Sequence, residues 1–139
     1  MHIGAATSRA WGTKGFAETA AWLAKEKKYK VLLLGGEAEK KRAENILAAL
    51  DCPVVSLVGQ LGLAELVAVI STLDFYIGMD TGPSHIAAAL NIPMVMLFLN
   101  PKAQPARWGP YKVRSSTVES TTDMPAEKVI AACEHVISG

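Results

Sequence analysis

Gly78-Met79-Asp80-Thr81-Gly82-Pro83-Ser84-His85, running directly into Ile86-Ala87-Ala88-Ala89-Leu90, is the stretch on which the fold turns. Phe75, Tyr76 and Ile77 form an apolar strand that enters a tight, glycine-bounded turn. A helix then opens with Pro83 near its start, where the missing N–H costs nothing and φ is preset. The first turn of a helix carries unpaired N–H groups and a partial positive charge, so it favours a phosphate. The segment therefore reads as an anion site at a strand-to-helix turn.

The same alternation extends in both directions. A first strand is expected over residues 3–6 and a helix over 15–27, with Phe16, Ala20, Leu23 and Ala24 on one face. Val31-Leu32-Leu33-Leu34 is an unbroken apolar run ending in Gly35-Gly36, the pattern of a strand buried on both faces. A helix over 39–50 buries Ala43, Ile46, Leu47 and Leu50. A strand over 54–58 follows, then a helix striped by Leu63, Leu66, Val67 and Ile70. After the strand at 74–78 and the helix at 83–90 come a strand over 94–99, a proline-rich loop over 100–110 and a weak strand near Val113. The last helix is expected to run to Ile137 with Asp123 as N-cap ahead of Pro125. Strands separated by helices mean βαβ units, and the expected class is α/β: a single Rossmann-like domain over 1–139 with a doubly wound parallel sheet. Ligands of such sheets lie beyond the carboxyl ends of the strands, where glycine and small polar residues gather in this sequence.

Composition narrows the function. Half of the 139 residues are hydrophobic, and the net charge is +1, with no case for nucleic acid. The lysines at 25, 27, 28 and 30, and Lys40-Lys41-Arg42, read as solvated helix ends. No apolar run approaches the roughly 20 residues of a membrane span, and no signal peptide is apparent. Cys52 and Cys133 offer no metal-ligand spacing and suit a reduced, cytoplasmic setting.

Asp80-Thr81-Gly82 also marks aspartic proteases, but those need two such carboxylates held together in β-structure, and this chain has one copy ahead of an alanine-rich helix. Asp80 is either a structural tie of the turn or the organiser of a loop whose Thr81 and Gly82 N–H groups bind a diphosphate. His85, in the first turn, is either a surface residue or a donor to a departing phosphate. Thr7, Ser8 and Lys14 supply hydroxyls and a cation to the loop after the first strand. Glu37 and Glu39 either complement the helix dipole or accept hydrogen bonds from ribose hydroxyls. Neither G-x-G-x-x-G nor G-x-x-x-x-G-K-[ST] occurs, which argues against an ordinary NAD domain and a P-loop NTPase. The loop over 100–111 is a substrate-side loop or a rigid connector.

Five groups of residues together resemble the C-terminal half of glycosyltransferase family 9, the ADP-heptose:lipopolysaccharide heptosyltransferases and relatives. They are the Thr7, Ser8, Lys14 loop; Leu33-Leu34-Gly35-Gly36 with Glu39; Val58-Gly59 leading into the Leu63 helix; Asp80 through Leu90; and Phe98, Pro101 and Trp108-Gly109-Pro110-Tyr111. The resemblance implies one half of a GT-B fold, which binds the nucleotide-sugar donor of an inverting, metal-independent transfer in lipopolysaccharide or other cell-envelope glycan synthesis. It implies that Asp80, Thr81, Gly82, Ser84 and His85 surround the diphosphate and sugar, that Thr7, Ser8 and Lys14 contact phosphate, that Glu39 holds the ribose and that Leu61 lies near the base. Lys14 and His85 would stabilise the leaving group. No cofactor or metal is implied. The general base and acceptor site belong to the N-terminal half, which is the expected partner and the expected route to any peripheral membrane contact. The lysine loop, with Trp11-Gly12-Thr13 before Lys14 and Gly15-Phe16 after it, differs from the family's Lys-x-Trp-Pro. The rival readings are a non-catalytic nucleotide-binding or scaffolding module, and half of a sugar-nucleotide epimerase or hydrolase of the same architecture.

Overall fold

The computed structural model describes residues 1–5, 10–100, 102–120 and 123–139. Strands β1 (Leu32–Leu33) and β2 (Val55–Ser56) pair in parallel, as do β3 (Tyr76–Met79), β4 (Met94–Phe98) and β5 (Ser115–Glu119) in a second sheet of order β3-β4-β5. Residues 1–3 join the two. The His2 N–H donates to the Ile77 carbonyl at 2.8 Å, the Ile3 N–H to Leu34 at 2.9 Å, and Leu34 returns a bond to Met1 at 2.8 Å. Counting this segment first, the strands lie in the order 3-2-1-4-5-6 of a doubly wound Rossmann-like sheet. The expected α/β class is the one observed.

The apolar runs are explained by burial on both faces. Ile3, Leu33, Ile77, Val95 and Leu97 pack with Phe16 and Ala20 of α1 (Thr13–Lys25), Ala43 and Ile46 of α2 (Lys40–Ala48), and Val129 and Cys133 of α6 (Ala126–Ser138). Leu34, Tyr76, Met94, Met96 and Phe98 face the other way, with Ile70 of α3 (Leu63–Ser71) and Ala87 of α4 (Gly82–Ala89). Alternate residues of one strand thus enter opposite layers, each fully buried side chain stabilising by roughly 1.5–3 kcal/mol.

Several local expectations are corrected. Residues 1–3 enter the sheet, so the expected strand over 3–6 begins two residues earlier and leaves Gly4 and Ala5 outside it; residue 6 lies outside the described residues. Asp123 does not cap the last helix, whose N-cap is Pro125, without a side-chain bond. The weak strand near Val113 is β5, two residues further on, with only Val118 of its side chains fully buried. The loop over 100–110 contains a helical turn, α5 (Pro105–Trp108). Leu63, assigned to the buried stripe of α3, is 71% exposed.

Candidate active site

The switch point of the sheet lies between residues 1–3 and β3, and Asp80 leaves β3 there. Its N–H still donates to the Leu97 carbonyl at 3.2 Å, so the turn starts from a fixed register. Thr81 is the N-cap of α4, in extended conformation, and makes no side-chain capping bond; its hydroxyl lies 3.4 Å from the Met79 carbonyl instead. The Thr81 carbonyl accepts from the N–H groups of Ser84 (3.1 Å) and His85 (3.3 Å). Among the described residues, the N–H groups of Thr81 and Gly82 have no acceptor. A Cβ built on Gly82 meets nothing within 4 Å, so the turn is open on the Cα side of this glycine.

Gly78 has the opposite surroundings. A Cβ there would come within 2.7 Å of the Tyr76 ring and 2.8 Å of the Ser84 hydroxyl, so this glycine lets the first turn of α4 pack onto β3. Ser84 is fully buried. Its single hydroxyl proton goes to the Met79 carbonyl, and its oxygen lies within hydrogen-bond distance, 3.2 Å, of the Tyr76 hydroxyl. Burial pushes the Tyr76 phenol up, partly offset by its bond to Ser84, so it remains a neutral partner. The Ser84 side chain therefore anchors the helix from behind instead of facing the turn, a correction to its placement around the diphosphate. His85 folds back over the turn, with Nε2 3.1 Å from Asp80 Oδ1. A neutral ring that donates from Nε2 keeps Nδ1 as an acceptor; only the imidazolium can donate from both nitrogens. Asp80 is thus the group that orients His85.

Glu39 stands at the neighbouring strand end. Its Oε2 accepts from the Gly36 N–H at 2.8 Å, capping the 3-10 turn Glu37–Glu39 that leads into α2. A Cβ on Gly4 would lie 3.5 Å from its carboxyl carbon, which places Glu39 beside the end of the first segment. Glu37 pairs with Lys40 at 2.8 Å. Leu61 is partly buried against the Leu34–Tyr76 layer. Thr7 and Ser8 lie outside the described residues.

Lys14 does not join this cluster. It sits in the first turn of α1, largely exposed, 3.7 Å from Glu18, and it lines a separate cavity with Glu18, Asp123 and Glu127. Trp11 instead reaches the end of β3. It is buried, its backbone N–H lies 3.3 Å from the Met79 sulfur and its indole N–H donates to the Met124 carbonyl at 2.7 Å. The sequence signal for this anchor was the lone tryptophan in an otherwise small and polar loop.

On the far side of Asp80, a cavity of about 250 Å³ opens between the ends of β3 and β4 and the segment bearing α5. Ala5, Asp80, Thr81, Asn100, Gln104 and Trp108 line it. Gln104 was missed by the sequence reading, because nothing in a proline-rich loop marks which polar side chain turns inward. Among the described residues no helix is long and apolar enough to cross a membrane, and no group of three His, Cys, Asp or Glu side chains is placed to hold a metal ion.

Residues 2–136 match the pattern of glycosyltransferase family 9 (heptosyltransferase). Lipopolysaccharide heptosyltransferase 3 of Escherichia coli is 38% identical over 73 residues, half of this chain and 22% of the relative. Lipopolysaccharide heptosyltransferase 2 of E. coli K12 is 33% identical over 95 residues, 66% of this chain and 27% of the relative. In fold, the chain is similar to E. coli ADP-heptose lps heptosyltransferase II (TM-score 0.86, 24% identity, covering 99% of this chain and 45% of the other). It is also similar to E. coli heptosyltransferase WaaC solved with ADP (TM-score 0.83, 21% identity, 96% and 42%). The chain spans less than half the length of these proteins. With a match that runs through nearly every element of the sheet, this chain belongs to glycosyltransferase family 9.

Proposed function

We propose that the chain is the donor-binding half of an inverting, metal-independent glycosyltransferase that takes a nucleoside-diphosphate sugar, of the ADP-heptose kind, in lipopolysaccharide or related cell-envelope glycan synthesis on the cytoplasmic side. The observation that carries this reading is the bare start of α4: at the switch point of the sheet, the N–H groups of Thr81 and Gly82 have no acceptor among the described residues. A solved relative binds ADP. The diphosphate would sit on these donors, with His85, held by Asp80 through Nε2, giving a further hydrogen bond from Nδ1 as the imidazolium. Such preorganised donors stabilise charge growing on a leaving diphosphate, and losing one costs roughly 2.7–4 kcal/mol of barrier. Glu39 would accept from the ribose and Leu61 would border the base. The acceptor and general base would come from a facing N-terminal half.

The placement of Lys14 redistributes one role. In the family's Lys-x-Trp-Pro, the cation stands two residues before the tryptophan. With Trp11 as the buried tryptophan, that position is Arg9, which lies outside the described residues. Arg9 is therefore proposed as the phosphate-loop cation in place of Lys14.

A thermal-shift panel of ADP, UDP, GDP and CMP tests the reading. About 100 Kd of the right nucleotide should stabilise the chain by roughly 2.7 kcal/mol. Gly82→Ala should keep the unliganded midpoint, since its Cβ meets nothing, yet lose the shift; His85→Ala should reduce it. No shift with any nucleotide would overturn the donor-site reading.

A further inference from the structure

Charge is spread unevenly along this chain. All 13 Asp and Glu residues lie outside the interval 81–118, which holds Lys102, Arg107, Lys112 and Arg114, so this interval is cationic while the rest of the chain is net negative. The four cations are exposed, and among the described residues none has a carboxylate partner, whereas Lys25, Lys27, Lys40 and Lys41 each pair with one. The fold keeps the four at one edge of the sheet. Lys102 and Trp108 line the same cavity at the end of β4. A Cβ on Gly109 would lie 3.6 Å from Thr117 of the edge strand β5, and the Arg114 carbonyl accepts the Met94 N–H at 3.0 Å. Two aromatic rings stand among the cations and are left in solvent: Trp108 is 50% and Tyr111 76% exposed. Arg107 lies 5.0 Å from the Trp108 ring centre, and Lys112 lies 5.1 Å from that of Tyr111. Lys112 has a left-handed φ of 54°, and the chain turns there so that Val113 packs against the Leu34–Tyr76 layer while Tyr111 and Lys112 stay outside. An exposed Trp and Tyr set among unpaired cations suits a lipid–water interface, where the rings settle at headgroup level and the cations meet headgroup phosphates. Each ring already carries a cation over one face, which leaves less room for the base stacking that single-stranded nucleic acid requires. Pro105 and Pro110 stiffen the segment, so docking orders little that is not already fixed.

We propose that the segment between β4 and β5 docks the chain on an anionic phospholipid bilayer, with Trp108 and Tyr111 entering the headgroup layer and Lys102, Arg107, Lys112 and Arg114 meeting its phosphates. This puts a membrane contact on this half of the fold, where the sequence pointed only to an N-terminal half. The test mixes the chain with vesicles of pure phosphatidylglycerol or pure phosphatidylcholine. The chain should sediment with the first and stay in solution with the second. Raising the salt to about 1 M, where the Debye length is about 3 Å, should release it. Trp11 and Trp22 are buried, so a blue shift of tryptophan emission on binding reports Trp108 entering the headgroup layer. Lys112→Gln should weaken binding about fivefold, and Lys112→Gln combined with Arg114→Gln about twenty-five-fold. Tyr111→Ser leaves the charge unchanged and should also weaken it. All three side chains are exposed, so each variant should keep the wild-type thermal midpoint. No sedimentation with phosphatidylglycerol, equal sedimentation with both lipids, or wild-type binding by the double variant overturns the proposal. Unchanged emission on binding, or wild-type binding by Tyr111→Ser, does the same for the entry of the rings. Capture of a single-stranded oligonucleotide without capture by phosphatidylglycerol would make the surface a nucleic-acid contact instead.

Discussion

Two turns that lead into helices stand at the carboxyl edge of this sheet, on either side of residues 1–3, and they are finished in opposite ways. The 3-10 turn Glu37–Glu39 that leads into α2 is closed by its own sequence: Glu39 bends back onto the Gly36 N–H, and Glu37 beside it pairs with Lys40. The start of α4 has no acidic residue in its first turn and no capping side chain, because Thr81 and Ser84 both turn their hydroxyls toward the Met79 carbonyl. An N-terminal turn that is already neutralised by carboxylates repels an anion; one left bare attracts it. On the proposed reading, the first would suit hydroxyl groups and the second, beyond residues 1–3, would suit phosphate. What differs is a few side chains.

The largest effect attacks the seam that holds these two starts together. Residues 1–3 bond to both neighbouring strands, and His2 is buried in that segment, its Nδ1 3.3 Å from the Gly4 N–H. Burial, the largest cause, lowers its pKa from 6.5 to about 4. The folded chain thus holds His2 neutral, while the unfolded chain protonates it near 6.5. Stability from this residue is complete above pH 6.5 and is lost as the pH falls through the window down to about 4, by about 3 kcal/mol in total. Urea midpoints measured from pH 7.5 to 4 should fall accordingly, and His2→Gln should flatten that part of the profile. A wild-type profile that parallels the variant would show that the seam tolerates the charge.

Next in size is a substitution that makes the bare start resemble the closed one. Thr81→Asp puts a carboxylate at the N-cap, where it can accept from the Ser84 N–H. The gain in stability should be modest, about 0.5 kcal/mol. Nucleotide affinity should collapse by about a hundredfold, near 2.7 kcal/mol, since a fixed negative charge now occupies the anion site. A rise in midpoint with unchanged nucleotide binding would break the contrast between the two helix starts.

Much of this arrangement was legible in the residues. Runs such as Val31 to Leu34 and Met94 to Leu99 announce strands buried on both faces, and the Gly-Pro pair at 82–83 announces a helix start. The edges were less legible. β5 carries Ser115, Ser116 and Thr117 and fully buries only Val118, because an edge strand needs only partial cover, so its apolar signal is weak. α5 is a single turn, too short for any period. Within the site, residue type alone could not give side-chain direction. Ser84 sits in the same turn as His85, yet one hydroxyl anchors the helix to Tyr76 while the imidazole reaches Asp80. Lys14 had the right charge on the expected loop, but one helical turn beyond Trp11 it faces Glu18.

The smallest effect sharpens the closed start, where one carboxylate has two candidate jobs. Glu39→Ala removes the acceptor of the Gly36 N–H, an exposed cap, and should cost about 0.5–1 kcal/mol of stability. Capping uses only Oε2, so Oε1 is left to accept from a ribose hydroxyl. Loss of that second bond should appear as a change in selectivity rather than in affinity alone. Wild type should prefer ADP over 2′,3′-dideoxy-ADP, and Glu39→Ala should bind the two alike. Should the variant lose stability yet keep the wild-type preference, Glu39 acts as a cap only, and the ribose must be held from another strand end.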